Sequence, residues 1–505
     1  MKGSDRGVAR NAIAGIPLVL VPALGAVQGG FHPDTWVWAG VLAAWAAALG
    51  IVLTDRPGAL RATWRWPGLA ASLLLWTLAS ALWSAELQQS VLEARRTVVY
   101  AAVVIALVVL ARRHAAQTLV AATHIAITGL LLYALLRYLF SPRVSDPFEG
   151  LGISQPLGYA NALGILAAMG ILLALASVLD GKTVSRRAIC AASVPPLALV
   201  LTLSYSDASW LALGVGIVVV AILSPRFMDI ARIVALLVGP SAPLIWLARY
   251  SHYATTLSPR VGGPILAAAA VVAAIAAGGL AAAARGPSPL RPTRRRSGVV
   301  AAAAVFIVVV AAAIAVAAGG STQPRSSYYH VAWHEYVAHP ILGSGAGTFG
   351  RYWLSSGLYQ QWGGALDAHS LYLETLAELG PLGLLLLAAF LLYPLRRAVA
   401  SRGTPGVAAA AGAAVAFLVH AGLDWDWEMP AVVVAGVACL AAVLLADEPE
   451  PGEPAVPLRP LARGTALLFA VALGLVAIAG TTSNAEPSAA LKDEAPQSGA
   501  SSELT

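Results

Sequence analysis

Long apolar segments recur along almost the whole chain, and they constrain its fold more than any other feature. Most of them approach the roughly 20 residues that a helix needs to cross the hydrocarbon core of a bilayer. Only 11% of the 505 residues are charged, whereas soluble domains carry about 25%. Within lipid, helices and closed barrels alone satisfy their own backbone hydrogen bonds. We therefore predict an all-α, polytopic integral membrane protein.

The apolar segments predict about 15 transmembrane helices. Their limits are 12–31, 35–53, 68–84, 97–111, 117–140, 159–179, 188–204, 208–224, 230–248, 263–284, 298–318, 370–395, 405–423, 430–446 and 464–481. With the N-terminus placed in the cytoplasm, 23 of the 32 Lys and Arg residues fall in alternating cytoplasmic segments. This bias is the one that cytoplasmic loops of plasma-membrane proteins carry. The same orientation puts residues 319–369 in a large extracytoplasmic loop.

We assign residues 1–481 to one transmembrane domain that includes this loop. Residues 447–463 form a Pro-rich, acidic linker on the cytoplasmic side. Residues 482–505 are rich in Ser, Ala, Glu and Pro, a composition that predicts a disordered tail. Cys190 and Cys439 both lie in apolar segments, which predicts two buried thiols and no disulfide.

The 319–369 loop is polar, glycine-rich and aromatic, and loops of this length are usually functional or disordered. Its aromatic residues can bury surface, so we expect an ordered loop. His369 stands where the loop meets the next apolar segment. Its imidazole suits a general base, although a hydrated residue at a helix start is the simpler interpretation. Arg325 could bind a phosphate through its guanidinium, or it could be a surface arginine on an interfacial helix.

Two further motifs in the loop carry weaker signals. His330 and His334 are spaced as on one helix face, but a zinc site needs a third ligand and none is evident, so we predict no metal. The segment GSGAGTFG (343–350) lacks the Lys-Ser/Thr ending of a nucleotide-binding loop. The amides of such a tight loop could instead face an anion.

Polar residues also occur at other predicted helix ends. Asp424 and Trp425 belong to the corner DWDWE (424–428), which could grip a sugar. An aromatic anchor with solvated acids is the interpretation that the sequence favours. Helix capping accounts for Asn161, and snorkelling accounts for Arg95 and Arg96.

Five segments together resemble a known family. They are WSAELQQSVLEARRTVVY (83–100), PLGYANALG (156–164), RSSYYHVAWHEYVAHPILGSGAGTFGRYW (325–353), AHSLYLETLAELGPLGLLL (368–386) and HAGLDWDWEMPAV (420–432). In this order they resemble the O-antigen ligase/polymerase superfamily of bacterial membrane glycosyltransferases, over approximately residues 70–445. The Ala-, Gly- and Arg-rich composition makes the chain look like an actinobacterial member.

The resemblance implies a metal-independent, GT-C-type enzyme that needs no cofactor and acts on the outer face of the membrane. Such an enzyme transfers a glycan from a polyprenyl-diphosphate-linked donor to an acceptor hydroxyl on a glycan, lipid or protein. It implies that His369 activates or orients the acceptor and that Arg325 clamps the diphosphate. A polymerase and a ligase share this pattern, and nucleic acid is not an expected partner.

One position departs from the family pattern. Many relatives carry a Ser-Arg-Gly type motif where this chain reads YSDASW (205–210), with Asp207 in place of the arginine. Three consequences are open: another outer arginine (Arg143, Arg249, Arg260 or Arg351) holds the donor, the donor is held differently, or the activity is altered. The substrate-binding residues predicted on this basis, together with the polar helix ends, are Arg351, Arg143, Asn161, Asp424 and Trp425.

Two other functions remain open at this point. A flippase or transporter for lipid-linked sugar would need charged groups at mid-membrane and an alternating-access repeat, and the sequence shows neither. A catalytically inactive scaffold of a polysaccharide assembly complex stays open because of Asp207.

Overall fold

The computed structural model describes residues 12–53, 63–111, 114–141, 151–181, 183–224, 227–250, 259–284, 325–358 and 364–446, and parts of 464–475. Within these residues every regular element is a helix. Gly15–Gly25 is α1, and the others follow as α2 Pro33–Leu53, α3 Arg65–Ser80, α4 Leu87–Val109, α5 Ala115–Phe140, α6 Ala160–Asp180, α7 Val184–Leu203, α8 Asp207–Leu223, α9 Phe227–Tyr250, α10 Pro259–Ala283, α11 Arg325–Ala338, α12 Phe349–Ser355, α13 Leu371–Leu395, α14 Val407–Ala421 and α15 Pro430–Leu444. Short 3-10 turns occur at Ala12–Ala14, Gln28–Gly30 and Asp426–Glu428.

Seven helices of the described part are long and apolar enough to cross a membrane. These are α2, α5, α6, α7, α9, α10 and α13. Four shorter apolar helices accompany them, namely α1, α8, α14 and α15. The all-helical fold predicted from the sequence is therefore confirmed, and its character is that of a polytopic membrane protein.

Every predicted span that lies within the described residues overlaps a helix, although the span predicted at 12–31 contains an α-helix of only 11 residues. The span predicted at 298–318 lies outside the described residues, and so does most of the span at 464–481. The predicted linker at 447–463 and the predicted tail at 482–505 also lie outside them.

Small residues let two helices approach closely near the site. α8 packs along α14, and a Cβ atom placed on Gly412 would lie 2.8 Å from the carbonyl oxygen of Gly216. Such close backbone approach is typical of helix packing in membranes. It brings the first turn of α8 beside the last turn of α14, where two polar side chains meet.

The described part of the 319–369 loop is folded against the start of α13. α11 and α12 share a small apolar core with it, formed by Tyr328, Val331, Ala332, Phe349, Trp353, Ala368 and Ala377. α13 itself bends at Gly380, where φ is +67°. Its first half therefore packs with the loop, and its second half continues into the helix bundle.

Candidate functional site

Arg325 is the first residue of α11, and its side chain is anchored on one side. Its Nη2 donates a hydrogen bond to Oδ2 of Asp424 at 3.0 Å. The arginine side chain is 27% exposed, whereas that of Asp424 is fully buried. The Nε of Arg325 has no hydrogen-bond partner among the described residues. The guanidinium is thus held by a carboxylate, and part of the side chain stays exposed.

Asp424 collects further donors from separate parts of the chain. Asn161 donates to Oδ2 at 2.6 Å, the Tyr159 hydroxyl donates to Oδ1, and the backbone N–H of Trp425 donates to Oδ1 at 2.8 Å. A buried carboxylate needs such partners because its desolvation is costly. Asn161 therefore stabilises the Asp424 carboxylate through a hydrogen bond and is not the helix cap that we predicted.

The Trp425 ring packs against two aromatic side chains from other parts of the chain. It lies 4.3 Å from the ring of Tyr159, measured between centroids, and 5.6 Å from that of Phe31. These contacts hold the backbone next to Asp424.

His369 lies just before α13 and is paired with Asp367. Nδ1 of the imidazole is 2.8 Å from Oδ1 of Asp367, an ion-pair distance without a well-aligned hydrogen bond. The same carboxylate oxygen accepts the backbone N–H of His369 at 3.0 Å. The φ of His369 is +51°, a conformation that non-glycine residues adopt rarely and often at functional sites.

The electrostatic surroundings favour the charged form of this imidazole. Burial lowers the pKa of His369, but interaction with Asp367 and the negative charge of Asp424 raise it more. The net result is a pKa above the ordinary value for histidine. A proton taken up by His369 is therefore stabilised by two nearby carboxylates.

Tyr328 brings Arg325 and His369 together. It lies one turn after Arg325 on α11, and its ring stacks on the imidazole of His369 with centroids 4.3 Å apart and planes 18° apart. Asp424 acts on both residues, since it bonds Arg325 and its charge affects His369. We call these five residues, Arg325, Tyr328, Asp367, His369 and Asp424, the Arg–His cluster.

A buried Ser–His–Asp arrangement lies beside the Arg–His cluster. Nε2 of His420 is 3.0 Å from Oγ of Ser209, and its Nδ1 is 3.0 Å from Oδ1 of Asp426. All three residues have no exposed surface, so no substrate reaches the serine. The contacts instead tie α8, α14 and the 424–428 corner to one another. The sequence analysis missed this arrangement because Ser209 and His420 are 211 positions apart.

Asp424 and Asp426 of the 424–428 corner are buried and the Glu428 side chain is only 15% exposed, so the prediction of solvated carboxylates there is wrong. Asp424 and Asp426 have no exposed surface. Glu428 accepts two hydrogen bonds from Arg96, at 2.5 and 2.7 Å, and Arg96 also pairs with Glu93. Burial raises the pKa of Glu428 to about 7, against the opposing effect of Arg96. Arg96 is itself buried, so the predicted snorkelling is also wrong.

The amides of the glycine-rich segment 343–350 do face an acidic group, but that group belongs to the protein. The backbone N–H of Gly347 donates to Oε2 of Glu378 at 2.8 Å, and that of Phe349 donates to Oε1 at 2.9 Å. The N–H of Ala346 donates to the hydroxyl of Ser80. These amides thus hold the loop on α13 and on the end of α3.

The remaining predicted residues lie elsewhere. Arg351 is 57% exposed and pairs with Glu86 at 3.3 Å, away from the contacts of the Arg–His cluster. Arg143 lies outside the described residues. Asp207 is exposed in the first turn of α8, where a negative charge is favourable. The rings of His330 and His334 are 4.3 Å apart, and no group of three or more potential metal ligands occurs in the described part of the chain.

Comparison with known families supports the assignment drawn from the motifs. A family model described as O-antigen ligase matches residues 189–388, which is less than half of the chain and includes both Arg325 and His369. A comparison with curated proteins gives no match. For residues 189–388, the family match confirms the resemblance to the O-antigen ligase/polymerase superfamily.

Proposed function

We propose that the protein transfers a glycan from a polyprenyl-diphosphate-linked donor to an acceptor hydroxyl on the outer face of the plasma membrane. It would act as a polymerase or a ligase for a surface polysaccharide. The observation that carries this proposal is the Arg–His cluster, in which a carboxylate-held arginine and a carboxylate-paired histidine share one tyrosine. The family match, which includes both residues, supports the same class of reaction.

Arg325 is the proposed diphosphate ligand. Its bond to Asp424 fixes the guanidinium, and the exposed part of the side chain would contact a donor oxygen. In the reaction, the bond between the anomeric carbon and the diphosphate oxygen breaks, and the electron pair leaves with the diphosphate. A fixed positive charge at that oxygen stabilises the leaving group. Arg325 would thereby supply the charge that a metal ion supplies in other enzymes.

His369 is the proposed general base. It would take the proton of the acceptor hydroxyl while the acceptor oxygen bonds to the anomeric carbon, so that the carbon is inverted. Asp367 would orient the imidazole and stabilise its protonated form, in agreement with the raised pKa of His369. The proton passes to His369 and the electron pair leaves with the diphosphate, so the reaction balances without a cofactor.

The other predicted substrate-binding residues receive different roles. Asn161, Asp424 and Trp425 are engaged with one another or with neighbouring residues, so we propose that they position Arg325. Arg351 and Arg143 remain proposed contacts to the donor. The GT-C-type architecture, the approximately 15 spans and the cytoplasmic N-terminus belong to the same proposal.

Substitution in cells tests the proposal. With His369→Ala or Arg325→Ala, we expect loss of the mature polysaccharide and accumulation of lipid-linked glycan outside the membrane. His334→Ala is the matched control, because His334 is an exposed histidine on α11. A scaffold would tolerate His369→Ala, and normal polysaccharide in that strain, with the protein present at its usual level, would contradict the proposal.

A further inference from the structure

A cavity of about 140 Å³ lies between α3, α4, α13 and α15. One part of its wall is apolar and includes Leu73, Ala101, Phe390 and Val437. Another part is charged and includes Arg96 and the carboxyl groups of Glu93, Glu374 and Glu378. None of the five residues of the Arg–His cluster lines it. The cavity is therefore amphipathic and distinct from the site of the proposed reaction.

The charges at the polar part disfavour phosphate. Arg96 already binds the carboxylates of Glu93 and Glu428. The other charged residues that line the cavity are acidic. A phosphate placed there would find no unpaired cation, because Arg96 is already paired and the other ionisable groups of the lining are acidic, and a buried charge is costly without a partner.

The same part offers both donors and acceptors of hydrogen bonds. The hydroxyl of Tyr100 and the Nε1 of Trp427 belong to cavity-lining residues, and neither has a hydrogen-bond partner among the described residues. Buried polar groups are normally satisfied. Hydroxyl groups complement such a wall, because each one accepts from a donor and donates to a carboxylate.

The cavity also adjoins the backbone that carries His369. Leu371 lines it and lies two residues after His369 in the sequence. Oε2 of Glu374, another lining residue, accepts the backbone N–H of Ala368 at 2.6 Å. A headgroup held at the polar part would thus lie beside the segment of the proposed general base.

We infer that this cavity binds the headgroup end of an uncharged, hydroxyl-rich lipid, with the sugar at Tyr100 and Trp427 and the first methylene groups of its hydrocarbon chain along the apolar wall. The inference rests on the proposed function for one step only, which is that this lipid is the acceptor. The diphosphate donor then belongs at Arg325, so donor and acceptor occupy separate places.

Photolabelling tests the binding without any need for turnover. The probes are a diazirine-bearing hexadecyl glucoside and the corresponding hexadecyl phosphate, each added to the full-length protein in phosphatidylcholine nanodiscs, with labelled peptides identified by mass spectrometry. We expect saturable labelling of α4 and α15 by the glucoside, at least about tenfold stronger than labelling by the phosphate, the factor that 1.4 kcal/mol of discrimination gives.

Two matched pairs of variants locate the ligand. Leu73→Trp fills the cavity and should abolish the labelling, whereas Leu75→Trp should not, because Leu75 is 64% exposed on the same helix. Tyr100→Phe should weaken glucoside labelling about 2- to 12-fold, the effect of one lost hydrogen bond. Tyr393→Phe is its control, since Tyr393 lies on α13 outside the cavity lining, beside Arg396.

The outcomes separate this inference from the proposed function. Equal labelling by both probes, or unchanged labelling of Leu73→Trp, overturns the inference. A protein that transfers glycan but shows no saturable labelling keeps the proposed function and loses this binding site. A protein that binds the glucoside as expected but transfers nothing keeps the site and loses the assignment of its ligand as acceptor.

Discussion

Replacing Arg325 by Gln leaves the buried Asp424 carboxylate with neutral donors alone. The bond that is lost is charge-assisted, and such bonds contribute about 1.5–3 kcal/mol. Loss of one partner of a fully buried ion pair costs about 3–5 kcal/mol. Arg325 is 27% exposed, so water can approach from its side and the cost should fall toward the lower range. We therefore expect Arg325→Gln to lower the free energy of unfolding by about 2–3 kcal/mol.

A double-mutant cycle with Asp424→Asn isolates the pair itself. We expect a coupling free energy of about 2 kcal/mol, measured by reversible unfolding in mixed micelles with increasing dodecyl sulfate. The control is the Asp229–Arg232 pair, which is 3.6 Å long with a 72% exposed arginine. Its cycle should give about 0–0.5 kcal/mol. Equal coupling in the two cycles would refute the reasoning that burial of Asp424 makes the first pair strong.

Three further predictions follow from other contacts. Asp367→Asn removes the carboxylate beside His369, so the pKa of His369 should fall. The rising limb of the pH–rate profile of glycan transfer should then move to lower pH. A limb that does not move would contradict His369 as the base. Burial raises the pKa of Glu335 from 4.5 to about 7, against hydrogen bonds from two hydroxyl groups. The contribution of this group to the free energy of unfolding is therefore complete below pH 4.5 and is lost as pH rises through 7, by about 3 kcal/mol in total. Thermal unfolding of Glu335→Gln should lack this loss. The same pH dependence in both proteins would show that another group causes it. Gly345 has a φ of +109°, and a Cβ there would lie 2.4 Å from the Cβ of Ser84. Gly345→Ala should therefore lower the melting temperature clearly. Gly350→Ala is the control, because a Cβ at Gly350 meets only ordinary contacts, and it should change the melting temperature little.

Much of the fold was predictable because the membrane imposes a simple pattern. Apolar segments of spanning length become helices in lipid, and each predicted span within the described residues overlaps one. The sequence also singled out Arg325 and His369, through a loop motif and a family resemblance. Their proximity was not predictable from spacing, since it depends on how α11 packs on the start of α13.

The buried polar contacts could not be read from the chain in the same way. Asp424 and Glu428 stand beside tryptophans at a helix end, a pattern typical of a solvated interface. Their partners come from distant segments, as shown by Arg96, which lies 332 positions before Glu428. A local pattern states that a carboxylate is near a helix end, but it does not state whether a cation from another helix covers it.

The glycine-rich segment gives the same lesson for Glu378. The glycines correctly predicted a tight loop, and its amides face the carboxyl group of Glu378. Glu378 reads in the sequence as one polar residue in the first turns of an apolar helix, and nothing local connects it with residues 347 and 349. Tertiary packing places the carboxyl group of Glu378 against these amides. The amides are therefore already bonded within the protein and do not bind a substrate phosphate.

Transfer by the purified protein tests the central claim most directly. Wild type and His369→Ala would each receive a polyprenyl-diphosphate-linked glycan and an acceptor glycolipid in the presence of EDTA, with the lipid products separated by chromatography. Our account predicts transfer by the wild type and at least about a 100-fold slower reaction for the variant, the usual contribution of a general base. Equal transfer by the two proteins, or transfer by the wild type that stops when EDTA is added, would contradict it.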